Sequence, residues 1–241
     1  MHTHESPGLE LRSRWEPALI AGGIAAGACF IASMGLFIGL VAPQMPPIDA
    51  PDTVKAVFYA QQAVSPIYML VRLLIFAQLA PLALLFGGLH AVLRRAEGGS
   101  GALATAVLCA GLLGAILSPV AELVEGHLLL GLAMSGADPV VTAGFDGMTP
   151  VAFGLSGFPQ LVVLVGTGLL LGGRLMPRWV AWFGYLVAAL GLLGVGVIAL
   201  QELFFFGLLS AILFKVWMIA LSVALLRPRA AAQPAPLRQP A

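Results

Sequence analysis

LFFFGLLSAILFKVWMIALSVALL, residues Leu203–Leu226, decides the fold. At about 1.5 Å per residue it makes a helix about 36 Å long, enough to cross a bilayer core of about 30 Å. It holds one charge, Lys215, and no proline. Water offers no reason for so apolar a rod to stay helical; lipid does, because every backbone polar group must then be satisfied within the segment.

Working outward, five more stretches meet the same requirement of about 20 apolar residues: Pro17–Ala42, Pro66–Leu93, Ala102–Glu125, Val151–Gly173 and Trp179–Leu200. The expected fold is therefore all-α, a polytopic transmembrane bundle of six spans at residues 17–226. It is flanked by a short tail at 1–16 and by an alanine- and proline-rich tail at 227–241, expected to be disordered. Composition agrees. Hydrophobic residues make up 60% and charged residues 10%, against roughly 45–50% and about 25% in soluble domains. The first stretch is too long for the roughly 7–15-residue core of a cleaved signal, so we read it as a retained span. No basic cluster points to nucleic acid. Cys29 and Cys109 lie inside apolar stretches without metal-ligand or redox spacing, and no cofactor motif is present.

Charge placement sets the expected orientation. Arg12 and Arg14 precede the first span, Arg94 and Arg95 join the second to the third, Arg174 and Arg178 join the fourth to the fifth, and Arg227, Arg229 and Arg238 follow the sixth. The alternate connections hold only Lys55 among basic residues, with Asp49, Asp52, Asp138, Asp146 and Glu202. The positive-inside rule then puts both ends in the cytoplasm of a multi-pass protein of the cell membrane. Trp15, Trp179 and Trp182 fall where an inner aromatic belt belongs, and Tyr59 and Tyr68 suit an outer one.

Three details are expectations for the structure to decide. The third stretch stays apolar to Met134, so its helix either projects beyond the outer surface or bends near Pro119 or Gly126. In the first outer connection Asp52 is placed to cap a helix running to Ala63. Val54, Val57 and Phe58 would then rest on headgroups while Lys55 and Gln62 face water. Pro81, Pro119 and Pro159 should kink their helices, freeing the carbonyls of Ala77, Ala115 and Leu155. Small residues four apart (Gly23 and Gly27, Gly35 and Gly39, Gly111 and Ala115, Gly168 and Gly172, Gly184 and Ala188) are expected to let helices approach closely.

Charges at membrane depth cost at least about 2.5–3.5 kcal/mol near a helix centre, so each must be explained. Arg72 on the second span and Glu122 and Glu125 on the third share the outer leaflet, and the two acids share a helix face. Three readings stand: an ion pair that fixes helix register, an outward-facing pocket for a small molecule, lipid or ion, or snorkelling of unpaired side chains toward water. His127 is rotated off that face, and Glu-x-x-His spacing is absent, so no metal is expected there. Lys215 lies near the midplane, where Gln78 on the second span and Gln160 on the fourth are the candidate acceptors. The candidate binding residues are thus Arg72, Glu122, Glu125, Lys215, Gln78 and Gln160. A scaffold acting by helix packing with a membrane partner is the other reading. No catalytic residue is assigned on this ground.

Gly154-Leu155-Ser156-Gly157, near the start of the fourth of six spans, resembles the GxSG of rhomboid proteases. That resemblance implies a serine nucleophile at Ser156. Rhomboids pair it with a histidine on the sixth span, and this sixth span has none; Lys215 would have to act as the base of an intramembrane hydrolase. The stretch GTGLLLGGRLMPRWVAWFGYLVAALGLLG, Gly166–Gly194, resembles a large family of bacterial six-span membrane proteins of unknown function. The shared features are a basic, proline-containing turn (Arg174, Pro177, Arg178) and a tryptophan-glycine helix start (Trp179, Trp182, Gly184). That family implies the six-span plan and no activity.

Overall fold

The computed structural model describes residues 16–47, 50–141 and 148–227, with side chains at 115–126, 148–150, 152, 153, 198 and 201 left out. Eight helices fill the described residues: α1 Glu16–Leu36, α2 Asp52–Ala63, α3 Pro66–Ala77, α4 Leu79–Glu97, α5 Ala102–Met134, α6 Met148–Leu171, α7 Arg178–Val195 and α8 Phe204–Leu226. No strand forms among them. Five segments are long and apolar enough to cross a membrane: Glu16–Gln44, Pro66–Glu97, Gly154–Leu171, Arg178–Val195 and Phe204–Leu226.

Consecutive long helices pack as neighbours, and α8 returns to α1, so the bundle closes as a ring α1–α4–α5–α6–α7–α8. Glycine makes the closure possible. Gly22 of α1 lies against the Pro81 carbonyl and Leu85 amide of α4, and Gly88 of α4 against Leu19 and Ile20. Phe86 fills the space at Gly111 of α5, and Val107 that at Gly166 of α6. Gly154 and Gly157 of α6 meet the Gly194 and Gly191 carbonyls of α7. Gly194 in turn meets Gly207 of α8, backbone to backbone. Gly23 and Gly27 of α1 close the ring against Ser222 and Ile219 of α8. With lipid outside, no hydrophobic drive brings these helices together, so close contact must supply the dispersion energy instead.

Two polar bonds tie α8 to α7. The Trp217 indole donates to the Val180 carbonyl at 3.0 Å, and the Ser210 hydroxyl donates to the Val187 carbonyl at 3.0 Å. The main core runs through the ring, with Leu82, Leu85, Phe86, Leu89 and Leu93 of α4 facing Leu164 and Leu171 of α6 and Met218 and Leu221 of α8.

The second span is continuous but irregular at one residue, Gln78, which keeps right-handed helical dihedrals and whose carbonyl accepts from the Leu82 amide at 3.0 Å. Helix α3 stops at Ala77 and α4 starts at Leu79, leaving Gln78 between them. Pro81 has no N–H to offer the Ala77 carbonyl, and its ring crowds that carbonyl. The proline at 159 acts differently: α6 runs through it without a break. Helix α5 is likewise one helix, about 50 Å long for its 33 residues. The structure carries the helix unbroken through Pro119 and Gly126 to Met134. Its C-terminal end does not stand alone: Leu129 and Leu130 join Phe58 and Tyr59 of α2 and Val41 in a second apolar cluster. Val41 belongs to a π-helical turn, Phe37–Val41, that continues α1 and is followed by a 3-10 turn at Ala42–Gln44.

Four expectations need correction. Asp52 is the first residue of α2 and makes no capping bond as its N-cap; that position belongs to Pro51, which has no side-chain acceptor. Phe58 and Gln62 turn inward and are buried, because the α5 end offers them a packing surface that sequence periodicity does not reveal. Tyr59 is buried with them and not part of an outer belt. A Cβ at Gly35 or Gly39 would meet nothing within 4 Å, so that pair is not a close helix contact among the described residues.

The α4–α5 connection has its own logic. Gly98, Gly99 and Gly101 all adopt positive φ, which only glycine does without strain. The turn they make folds Glu97 back so that its carboxylate accepts from the Leu103 amide at 3.1 Å and the Ala104 amide at 2.9 Å. Gly101, the N-cap of α5, has no side chain for this task; Glu97 does it from the preceding helix and also answers the positive end of the α5 dipole. Beside it, Arg95 donates to Glu16 at 2.6 Å, joining α4 to the start of α1.

Candidate functional site

Lys215 projects from the α8 face that meets α1, in line with Ile219 and Ser222 at i+4 and i+7. Gly23 and Gly27 hold the two helices close along that face. The lysine ammonium donates to Gln78 Oε1 at 2.9 Å and stands 5.4 Å from the ring centroid of Phe30. Gln78 is buried and Lys215 half-buried. Three sequence features thus converge on one point. Pro81 denies the Ala77 carbonyl its helical donor one residue before Gln78, the α1 glycines admit α8, and Phe30 supplies a π-face for the cation.

Of the two amides weighed for this lysine, the structure uses Gln78. Gln160 lies on α6, one turn beyond Ser156, and donates its amide to the Ser156 hydroxyl at 3.2 Å. Both side chains are buried, and Gln160 Oε1 has no hydrogen-bond partner among the described residues. Thr167, seven residues on and on the same face of α6, is also fully buried with its hydroxyl in the same condition. Ser156, Gln160 and Thr167 form a buried polar line down α6 that sequence reading found only in part. The glycines of the GxSG motif do a different job, since Gly154 and Gly157 give α6 its close approach to α7.

Arg72 lies on α3, half-buried, with its guanidinium 6.0 Å from the ring centroid of Tyr68 one turn earlier. Glu122 and Glu125 belong to continuous α5, but their side chains lie outside the described residues, and so does the pairing expected of them with Arg72. His127 is exposed. Among the described residues no three His, Cys, Asp or Glu side chains gather as metal ligands.

No family model, curated protein or solved structure matches this chain. Function must therefore be read from the site itself.

That site is an ammonium and a carboxamide placed between apolar helices. The lysine carries three N–H donors, one of them given to the Gln78 carbonyl oxygen, and the glutamine amide carries two. A low dielectric strengthens a charge-assisted bond of this kind and equally raises the cost of breaking it. The chemistry on offer is donation to an anion or to an acceptor-bearing group.

Proposed function

We propose that this protein is a six-span protein of the cell membrane, both ends cytoplasmic, that binds or moves a small molecule, lipid or ion. Lys215 and Gln78 are its recognition centre. The observation that carries this reading is the 2.9 Å Lys215–Gln78 bond at the α3–α4 junction. An ionisable side chain is costly at this depth, and such residues mark ligand or ion pathways more often than bundle scaffolding. Orientation rests on the arginine distribution, with Arg72, Glu122 and Glu125 then at the outer mouth. The donor-rich centre suits a ligand bearing a carboxylate, a phosphate or another anionic group.

The test is native mass spectrometry of the protein released from nanodiscs, comparing wild type with Lys215→Met and Lys215→Arg. Lys215→Met should lose a co-purifying acidic species that Lys215→Arg retains at least in part. If the bound species are identical in all three, with folded yield unchanged, Lys215 is no recognition centre. The scaffold reading, in which helix packing with a partner is the function, would then take its place. The hydrolase reading gains no support, because the GxSG glycines are used in packing and Ser156 accepts from Gln160.

A further inference from the structure

Helix α2 has two unlike faces. Phe58, Tyr59 and Gln62 are buried against the ends of α1 and α5. The opposite face presents Val54 and Val57, which are 47% and 58% exposed, interleaved with Thr53, Ala60 and Gln61, and Val64, just past the end of the helix, is 73% exposed. Its one lysine, Lys55, is not on that face but toward the buried side, half-buried. An outward face without a charge, built from β-branched apolar residues, is unusual for a helix bathed in water.

The position of α2 says what covers it. About 20 helical residues cross a hydrocarbon core. Counted from Glu16, that distance ends at Leu36, where α1 passes into its π-helical turn; counted from Ala102, it ends near Glu122. Val41 and Leu129, the residues that α2 grips, therefore stand about 7–10 Å beyond the core, at the level of the headgroups. The valine face is also continuous with a surface that faces lipid. Val64 and Ser65 alone separate α2 from α3, and Ile67, Met69, Leu70, Leu73 and Phe76 are all exposed along α3. The apolar surface thus climbs from the bundle wall onto α2.

We propose that α2 is an interfacial helix seated in the outer leaflet, with Val54, Val57 and Val64 as its lipid contacts. The partner is the bilayer surface, not a second protein. Through Phe58 and Tyr59 the helix carries the outer ends of α1 and α5, so the leaflet itself holds the outer mouth of the bundle in place. This inference does not rest on any role for Lys215.

The experiment places a nitroxide label at Val57→Cys and, separately, at Val64→Cys, in a Cys29→Ala, Cys109→Ala background. Each protein is reconstituted in vesicles of phosphatidylcholine and phosphatidylglycerol. Asp138→Cys, at an exposed position in a connection, serves as the aqueous reference. Collision with oxygen reports lipid and collision with a water-soluble nickel chelate reports water. The ratio of oxygen to nickel collision should be several-fold higher at Val57 and Val64 than at Asp138. Ratios equal to the reference would overturn the proposal. Exclusion of both reagents would also overturn it, since it would mean that protein covers the face. All these positions are exposed, so the labels should leave the fold intact; the circular dichroism of each variant checks that, and a Gln61→Cys label supplies a further position on the same face.

Discussion

Replacing Gly23 by alanine should weaken the bundle where the same change at Gly35 should strengthen it. The two residues look alike in sequence: each is the first glycine of a pair four apart on the first span. In the structure a Cβ on Gly23 would fall on the Ser222 hydroxyl, well inside van der Waals contact, and 3.1 and 3.2 Å from the Leu85 methyls. On Gly35 it would meet nothing within 4 Å. Overpacking of this kind costs about 1–3 kcal/mol; the atoms met are side-chain ends, the hydroxyl of fully buried Ser222 and the Leu85 methyls, so the middle of that range applies. Exchange of glycine for alanine inside a helix returns about 0.5–1 kcal/mol at both sites. Gly23→Ala should therefore destabilise by about 1–2 kcal/mol and Gly35→Ala should stabilise by about 0.5–1 kcal/mol. The assay is unfolding by dodecyl sulfate in mixed micelles, followed by circular dichroism. Ser222→Ala in the Gly23→Ala background removes the hydroxyl and leaves only the flexible Leu85 methyls to adjust, so it should recover about half of the loss. Equal stability of the two single variants, or no relief from Ser222→Ala, would refute the packing account of ring closure. A separated α1–α8 seam would also lengthen the reach from Lys215 to Gln78, so Gly23→Ala should reduce ligand retention in the same direction as Lys215→Met.

Two further outcomes are expected. Arg95→Ala should destabilise more than Glu16→Ala in the same unfolding assay, because the first strips a buried carboxylate of this partner while the second leaves a half-exposed guanidinium that water can solvate; with that exposure, Glu16→Ala should cost no more than about 1 kcal/mol. Glu97→Gln should cost about 1–2 kcal/mol by weakening the only side-chain cap at the start of α5 among the described residues, and amide exchange at Leu103 and Ala104 should rise while exchange in the α5 interior does not.

The all-α architecture and the extents of its long helices are legible in the sequence because a bilayer imposes a length and a composition on any helix that crosses it. The irregularity at Gln78 was also readable, since Pro81 removes a specific donor, although the same rule applies at Pro159, where α6 runs on without a break. What could not be read is which faces meet. Gly23 with Gly27 and Gly35 with Gly39 are the same pattern, and only the path of α8 makes one a seam and leaves the other open. Phe58 and Gln62 looked like a lipid contact and a water contact because the outer end of α5, distant in sequence, was not yet beside them. At the candidate site, Lys215 and Gln78 could be named from depth alone, but the choice between Gln78 and Gln160 depended on helix rotation. Phe30 escaped notice altogether, as one phenylalanine among many apolar neighbours carries no polar signal. Glu97 was overlooked for a similar reason: a glutamate in a connection reads as solvated until the glycines after it are seen to fold it back.

The unequal heights of the bundle wall bear on the lipids around it. On α7 exposed apolar and aromatic residues extend from Trp179 to Leu193, about 21 Å of helix; on α3 and α4 they extend from Ile67 to Leu84, about 26 Å. A bilayer of uniform thickness does not match both sides equally, so the annulus thins more beside α7 than beside α3, at fractions of a kcal/mol per Å.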